Sequence, residues 1–148
     1  MLIAIDNLRE IVRRCRTGEP LSGDLAAWLA RSLDEFLTHR RHSLDEALGL
    51  KGAKGGVPWW LEEAIRRRDQ ALRRLAQCHF PALSVSGQAA RIRTSALRYA
   101  ASAWRFDRER GSMPESYAGT DKEWLWSAFK SGAPMPICER QLRHVLGR

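Results

Sequence analysis

Five residues of the sequence have the types and the spacing to bind a row of phosphates. They follow one another at intervals of four, three, four and three positions, which places them along one edge of an α-helix. They are Arg91, Ser95, Arg98, Ser102 and Arg105. Arginine offers a charged fork of N–H donors and serine a small hydroxyl, and both suit phosphate oxygens. We therefore predict phosphate contacts along this edge, which we call the Arg/Ser strip.

The strip lies in a stretch of the chain that has no acidic residue. The 148 residues carry a net charge of +8, and 21 of the 25 basic residues are arginine. There is no Asp or Glu between Gln70 and Phe106. The arginines inside this stretch are Arg73, Arg74, Arg91, Arg93, Arg98 and Arg105. Such clustered positive charge favours an acidic partner, above all nucleic acid.

These arginines are also consistent with a protein that binds no nucleic acid. A GC-rich genome encodes arginine in place of lysine without any functional demand, so composition alone decides nothing. The strip could also be a solvated helix edge, or its arginines could pair with acids from the N-terminal part of the chain. Those acids are Asp34, Glu35, Asp45 and Glu46.

Further basic residues are candidates for phosphate contacts. Arg73 and Arg74 lie upstream of the strip in the same acid-free stretch, and Lys51 and Lys54 lie in the segment KGAKGGVPWW. That segment lacks the Gly-Lys-Ser/Thr ending of a nucleotide-binding loop, so we predict a flexible basic connection into a helix. Its two adjacent tryptophans diverge by about 100° on a helix, and core packing at the helix start is the favoured role for the pair.

The C-terminal segments EWLWSAFK, SGAPMP and ICERQLRHVL resemble a helix-turn-helix. The last segment has the apolar spacing of a recognition helix, and four of its side chains are candidates for reading bases or holding phosphates. They are Arg140, Gln141, Arg143 and His144. The two prolines of the turn depart from the short glycine turn of that motif. Any two amphipathic helices joined by a turn would share the pattern.

No pattern in the sequence predicts catalysis, a cofactor or a metal site. There is no Ser/His/Asp ordering, zinc-protease motif or carboxylate pair in apolar surroundings, so we expect a protein that is not an enzyme. Three widely spaced cysteines are expected to be reduced thiols, and His39 and His42 have no cysteine nearby to complete a zinc site. The absence of an apolar span or export signal favours the cytoplasm.

Hydrophobic spacing predicts an all-α fold. Apolar residues recur at helical intervals through most of the chain, and strand patterns are nearly absent. We predict a single domain over 1–148, built as a compact bundle of six to seven helices around a central helix near 86–110. That helix is apolar on most sides and leaves the Arg/Ser strip as its exposed edge. A break near Gly111 makes a C-terminal helical subdomain over 112–148 the alternative.

These patterns favour a small basic nucleic-acid-binding protein, with DNA preferred over RNA as its partner. Its size, its charge and its lack of enzyme motifs suggest a regulatory or accessory protein of a bacterium or a mobile element. The alternative is a protein-interaction module, such as an inhibitor or adaptor, that sets an Arg/Trp surface against an acidic protein. A membrane partner is not favoured because no helix pattern has an exposed apolar face. The sequence does not predict an oligomeric state.

Overall fold

The computed structural model describes residues 2–52, 56–136 and 138–147, which form eight α-helices, one 3₁₀ helix and no strand. The helices are α1 (Leu2–Thr17), α2 (Gly23–Leu37), α3 (Leu44–Ala47), α4 (Trp59–His79), α5 (Val85–Ala101), α6 (Trp104–Asp107), α7 (Asp121–Lys130) and α8 (Glu139–Leu146), with the 3₁₀ helix at Glu115–Tyr117. The prediction of an all-α helical bundle is confirmed. None of the described helices combines the length and the apolarity that a membrane crossing requires.

Contacts between residues group the chain into two compact units, Met1–Trp59 and Trp60–Arg148. In the first unit, α1 and the segment after α3 bury a small apolar cluster. Its buried members are Ala4, Ile5, Leu48 and Leu50, and Leu8, Trp28, Leu29 and Trp59 pack against them. The single domain predicted over 1–148 stays a prediction.

The two adjacent tryptophans at the start of α4 diverge as predicted, but the core packing predicted for the pair holds for Trp59 alone. Trp59 packs into the cluster of the first unit, whereas the side chain of Trp60 is 58% exposed. Neighbouring residues on a helix point about 100° apart, so one indole can be buried while the other faces solvent.

Several predicted helix ends are confirmed. Ser22 and Ser43 accept hydrogen bonds from the backbone N–H groups of Leu25 and Glu46 and so cap α2 and α3. The spacing of Ser43 and Glu46 predicts a capping box, but only half of it forms, because the carboxylate of Glu46 accepts from the N–H of His42 and not from that of Ser43.

Thr120 with Glu123 three residues on also matches the capping-box pattern, but the box does not form. The hydroxyl of Thr120 donates to the carbonyl of Tyr117 at 2.8 Å, and the carboxylate of Glu123 accepts from the N–H of Gly119 at 2.7 Å. The backbone N–H of Glu123, which a capping box directs to the threonine hydroxyl, instead donates to the Thr120 carbonyl at 3.2 Å. The helix nevertheless begins at Asp121, as the sequence indicated.

The second unit contains the larger core. Leu72 and Leu75 of α4, Ile92 of α5, Leu125 of α7 and Leu142 of α8 are its largest fully buried side chains. Helix α5 packs closely against α6, α7 and α8, and most extensively against α8. The prediction that the chain packs around a central helix is therefore confirmed within this unit.

That central helix is shorter than predicted, which is why the described residues form eight helices and not six or seven. Helix α5 ends at Ala101, and Ser102 has φ of −119° and ψ of −92°, far from helical values. The hydroxyl of Ser102 donates to the carbonyl of Arg98 at 2.7 Å. A serine that bonds back to the fourth residue before it favours a bend in a helix. The chain resumes as α6 after two residues.

A buried carboxylate stabilises this break. Asp107 is 3% exposed, and its Oδ2 atom accepts hydrogen bonds from the hydroxyls of Tyr99 and Tyr117, both at 2.8 Å. In an unbroken helix Tyr99 and Asp107 would lie about 12 Å apart along the axis, too far for this bond. Oδ1 lies 3.4 Å from Arg110 Nε, which supplies a positive charge. We call Tyr99, Asp107 and Tyr117 the Asp107 network.

We expect Asp107→Ala to lower the free energy of unfolding by about 2–4 kcal/mol, because it removes two hydrogen bonds to a charged acceptor and leaves tyrosine hydroxyls without one. Denaturant unfolding followed by circular dichroism measures the effect. Glu109→Ala is the matched control, since that carboxylate is exposed beside Arg108 and its loss should cost less than about 0.5 kcal/mol. Equal losses in the two variants would contradict a structural role for the network.

Stability should also fall at alkaline pH. Burial and the hydrogen bond to Asp107 raise the pKa of both Tyr99 and Tyr117 above its ordinary value. Above about pH 10 these tyrosines ionise in the unfolded chain while they stay neutral in the folded one, so unfolding releases protons and becomes easier as the pH rises.

The measurement compares denaturant unfolding near pH 8 with unfolding near pH 11, for the wild-type chain and for Tyr99→Phe. The variant should show the smaller loss of stability with pH, since it lacks one of the two titrating groups. The chain has only two tyrosines, so tyrosinate absorbance reports on the Asp107 network alone. Tyrosinate that forms near pH 10 in the folded protein would contradict the pKa shifts.

Candidate nucleic-acid interface

The net positive charge of the chain lies almost wholly in the second unit. Residues 60–148 include 16 Arg and Lys against nine Asp and Glu, whereas residues 1–59 include nine against eight. The second unit therefore carries most of the attraction for a polyanion. The acid-free stretch and the predicted C-terminal contacts both belong to this unit.

Four of the seven arginines of the first unit pair with neighbouring acids, namely Arg9, Arg13, Arg14 and Arg41. Arg13 bonds to both Glu10 and Glu19, and Arg14 bonds to Glu10. Hydrogen bonds from these two arginines lower the pKa of Glu10 to about 2, so its charge persists to acidic pH.

Two of the acids that could have paired with the Arg/Ser strip have other partners. Arg41 lies 3.2 Å from the carboxylate of Glu35 and 3.8 Å from that of Glu46. All three residues belong to the first unit, so these acids have cations of their own unit to pair with.

The second unit also presents arginines that are exposed and have no ion pair within the described residues. They are Arg74, Arg91, Arg93, Arg98, Arg105, Arg140 and Arg143. Other arginines of the unit form ion pairs. Arg66 and Arg67 pair with Glu63, and Arg110 pairs with Asp107. Acids therefore neutralise one set of arginines and leave another facing solvent.

Within the Arg/Ser strip, Arg91 and Arg98 lie on the same face of α5, about 10 Å apart along its axis. The guanidinium of Arg91 lies over the ring of Phe80, 5.8 Å from its centroid, which orients it while leaving it exposed. Ser95 between them is half-buried.

The strip does not continue along one helix as predicted, because α5 ends before Ser102. The hydroxyl of Ser102 already donates to the carbonyl of Arg98, so its only hydrogen is engaged. Arg105 lies on α6, beyond the break, and is exposed there. The structure therefore gives Arg91 and Arg98 one helix and Arg105 another.

Arg73 and Arg74 are neighbours with different environments. Arg73 is half-buried, and its Nε donates to the carbonyl of Val145 at 2.9 Å, in the last turn of α8. Carbonyls at a helix C-terminus carry partial negative charge, which a guanidinium stabilises. Arg74 is exposed and has no partner among the described residues.

The two lysines of KGAKGGVPWW precede the second unit in the chain. Lys51 belongs to the first unit, where its ammonium lies 3.9 Å from the carboxylate of Glu46. Lys54 lies outside the described residues, as does Ile137, whose apolar side chain is predicted to lie on the inner face of the last helix. Phosphate contacts by the two lysines stay predictions.

Three of the four residues predicted to read bases line one hollow of about 920 Å³. Arg140, Gln141 and His144 form the α8 wall, and Arg68 with Asp69 lies on the α4 wall. Arg143 is exposed but does not line it. Residues 131–138 join α7 to α8, and α8 packs most extensively against α5. A helix-turn-helix has a shorter connection of three to four residues, so base reading stays a prediction.

Sequence reasoning missed a groove of about 490 Å³ between α4 and α7, which we call the tryptophan groove. Its lining residues are Arg67, Gln70, Ala71, Arg74, Trp124, Trp126, Ser127, Lys130 and Ser131. The signal was present in EWLWSAFK. Trp124 and Trp126 both pack against the core of this unit while remaining only partly buried, and both line the groove.

Two of the residues that line the tryptophan groove, Trp126 and Lys130, are neighbours on α7. Lys130 Nζ lies 5.9 Å from the ring centroid of Trp126 and donates to the carbonyls of Arg108 and Arg110. The indole N–H of Trp126 is buried and has no acceptor within the described residues. A buried donor without an acceptor costs about 1–3 kcal/mol.

The described residues include no group of three or more His, Cys, Asp or Glu placed to hold a metal ion. Cys15, Cys78 and Cys138 are exposed and form no disulfide. No protein-family model, no curated protein and no solved structure matches this chain. Its function therefore has to be argued from its own residues.

The contrast between Arg73 and Arg74 predicts different stabilities. Arg73→Ala should lower the free energy of unfolding by about 1–2 kcal/mol, because it leaves the Val145 carbonyl without its charged donor. Arg74→Ala should change it by less than about 0.5 kcal/mol. Thermal or denaturant unfolding of both variants measures the difference, and a larger loss for Arg74→Ala would contradict these placements.

Proposed function

We propose that this chain is a small nucleic-acid-binding protein whose second unit binds the phosphate backbone, with DNA as the preferred partner. The observation that carries the proposal is the set of exposed arginines on α5 and α6, which have no ion pair within the described residues. Arg91, Arg98 and Arg105 belong to this set. Because the chain has acids enough to pair some arginines and leaves these exposed, their charge remains available to a polyanion.

Phosphate binding suits this surface better than base reading. A guanidinium can hold a phosphate with two parallel hydrogen bonds whatever the base sequence. Arg91 and Arg98 would contact one strand of backbone along α5, and Arg105 would add a contact from α6. Arg74, Arg140 and Arg143 are further exposed donors of the same unit. Arg73 would contribute only through its terminal N–H groups, because its Nε is bound to the Val145 carbonyl.

A regulatory or accessory role in a bacterium or a mobile element, and a cytoplasmic location, remain parts of the proposal that rest on the sequence alone.

A second candidate function is binding of an acidic protein, and the exposed apolar side chains near these arginines favour it. Leu97 is 56% exposed and Phe106 is 76% exposed. Leu97 directly precedes Arg98 of the strip, and Phe106 directly follows Arg105. An aromatic anchor surrounded by arginines is typical of protein interfaces. Phosphate backbone alone would not require these apolar groups.

The test of the proposal is fluorescence anisotropy of labelled duplex DNA, single-stranded DNA and RNA at several salt concentrations. We expect duplex binding at micromolar affinity or tighter at low salt, weakening log-linearly as salt rises. The variant Arg91→Gln/Arg98→Gln/Arg105→Gln should bind at least about tenfold more weakly, and its salt slope should fall by about 0.9 for each phosphate that it no longer neutralises.

The control variant removes the same charge from the first unit. Arg16→Gln/Arg31→Gln/Arg40→Gln changes three arginines that are also exposed and without an ion pair in the described residues. It should keep most of the affinity. Equal weakening in the two triple variants would show that binding depends on overall charge and not on α5 and α6. No binding of the wild-type chain even at low salt would overturn the proposal and favour the acidic protein partner.

A further inference from the structure

We propose that the tryptophan groove binds one unstacked nucleotide, and hence that the substrate class is single-stranded nucleic acid. The base would lie against the indole wall of α7, and its phosphate would lie beside Arg74 of α4. This inference rests on the proposed function and specifies the form of nucleic acid that the second unit binds. It concerns a surface distinct from the arginines of α5 and α6.

The two walls of the groove offer complementary chemistry. On α4, Arg67, Gln70 and Arg74 follow at intervals of three and four residues and so share one face. On α7, Trp124 and Trp126 supply aromatic surface. Its volume of about 490 Å³ lies within the range of about 300–1,000 Å³ common for small-ligand pockets.

Charge in the groove favours an anion. No Asp or Glu is among the lining residues, whereas Arg67, Arg74 and Lys130 are. Arg74 is exposed and has no partner within the described part of the chain. Arg67 pairs with Glu63, which does not line the groove. Lys130 donates hydrogen bonds to two backbone carbonyls. Arg74 is thus the cation best able to hold a phosphate.

The indole wall favours a ligand with a flat ring. Bases stack on aromatic side chains irrespective of sequence, because every base has a π-face. Across the groove, the exposed amide of Gln70 can donate to and accept from the edge of a base.

A nucleotide fits these features better than an acidic peptide does. It combines a planar ring, edge donors and acceptors, and a phosphate within one residue, which is the combination that the groove offers. A duplex keeps its bases stacked and paired, so it cannot insert one without unpairing it. The groove therefore predicts a preference for single strands that phosphate contacts alone would not give.

The experiment compares two labelled oligonucleotides of about 12 nucleotides, oligothymidine and an abasic strand of equal length, by anisotropy with the full chain. Both carry the same phosphates, so any difference in affinity reports on the bases. We expect oligothymidine to bind about tenfold more tightly. The variant Gln70→Glu, which places a negative charge in the groove, should bring the ratio of the two affinities close to one.

Gln77→Glu is the matched control, because Gln77 is an exposed residue of the same helix that does not line the groove. It should keep the preference for oligothymidine. Arg74→Gln is a second variant at an exposed position and should weaken the binding of oligothymidine more than that of the abasic strand. Three variants at exposed positions keep the test independent of folding defects, which circular dichroism checks.

Equal affinity for the two strands would overturn the groove proposal while leaving the proposed function intact, since the phosphates would still bind. Equal effects of Gln70→Glu and Gln77→Glu would also overturn it. Failure of every oligonucleotide and of duplex DNA to bind would instead refute the proposed function. An acidic phenylalanine-containing peptide whose binding depends on Gln70, with no effect of the bases, would assign the groove to a protein partner.

Discussion

The buried carboxylate of Asp107 determines how the second unit is built. By accepting both tyrosine hydroxyls it ties the end of α5 to α6 and to the 3₁₀ helix, over a distance that a continuous helix could not close. The ring of Tyr99 then lies 5.3 Å from that of Phe129 on α7, and Trp104 lies 5.2 Å from the same ring. Because the inner face of α6 is fixed by Trp104 and Asp107, Arg105 and Phe106 must face outward.

Arginine serves two physical roles in this chain, and sequence position alone does not separate them. Arg73 and Arg74 are adjacent, yet one stabilises the C-terminal turn of α8 and the other is exposed beside the indoles of α7. The same division holds on a larger scale, since Arg13 and Arg67 pair with acids nearby in sequence, whereas Arg31 and Arg140 lie near acids and form no pair within the described residues. Nearby acids alone therefore do not predict which arginines stay available.

Elements governed by local rules could be predicted from the sequence, and elements governed by distant contacts could not. The end of α1 before Gly18, the cap of α2 at Ser22 and the divergence of two adjacent tryptophans follow from backbone and helix geometry. The break at Ser102 could not be foreseen, because it depends on a hydrogen bond that reaches Asp107. The tryptophan groove was missed for the same reason, because its lining comes from α4 and α7, which are far apart in the sequence.

The placement of α8 in the core has a consequence for the order in which the chain can fold during its synthesis. Leu72 and Leu142 belong to one buried cluster but are 70 positions apart. Translation at about 5–20 residues per second separates their synthesis by roughly 4–14 s. The first unit's cluster, by contrast, is complete in sequence once Trp59 has been made. For seconds, the nascent chain therefore exposes its arginine-rich segment while the core of the second unit still lacks α8. Polyanions or chaperones can bind this segment before the core is complete.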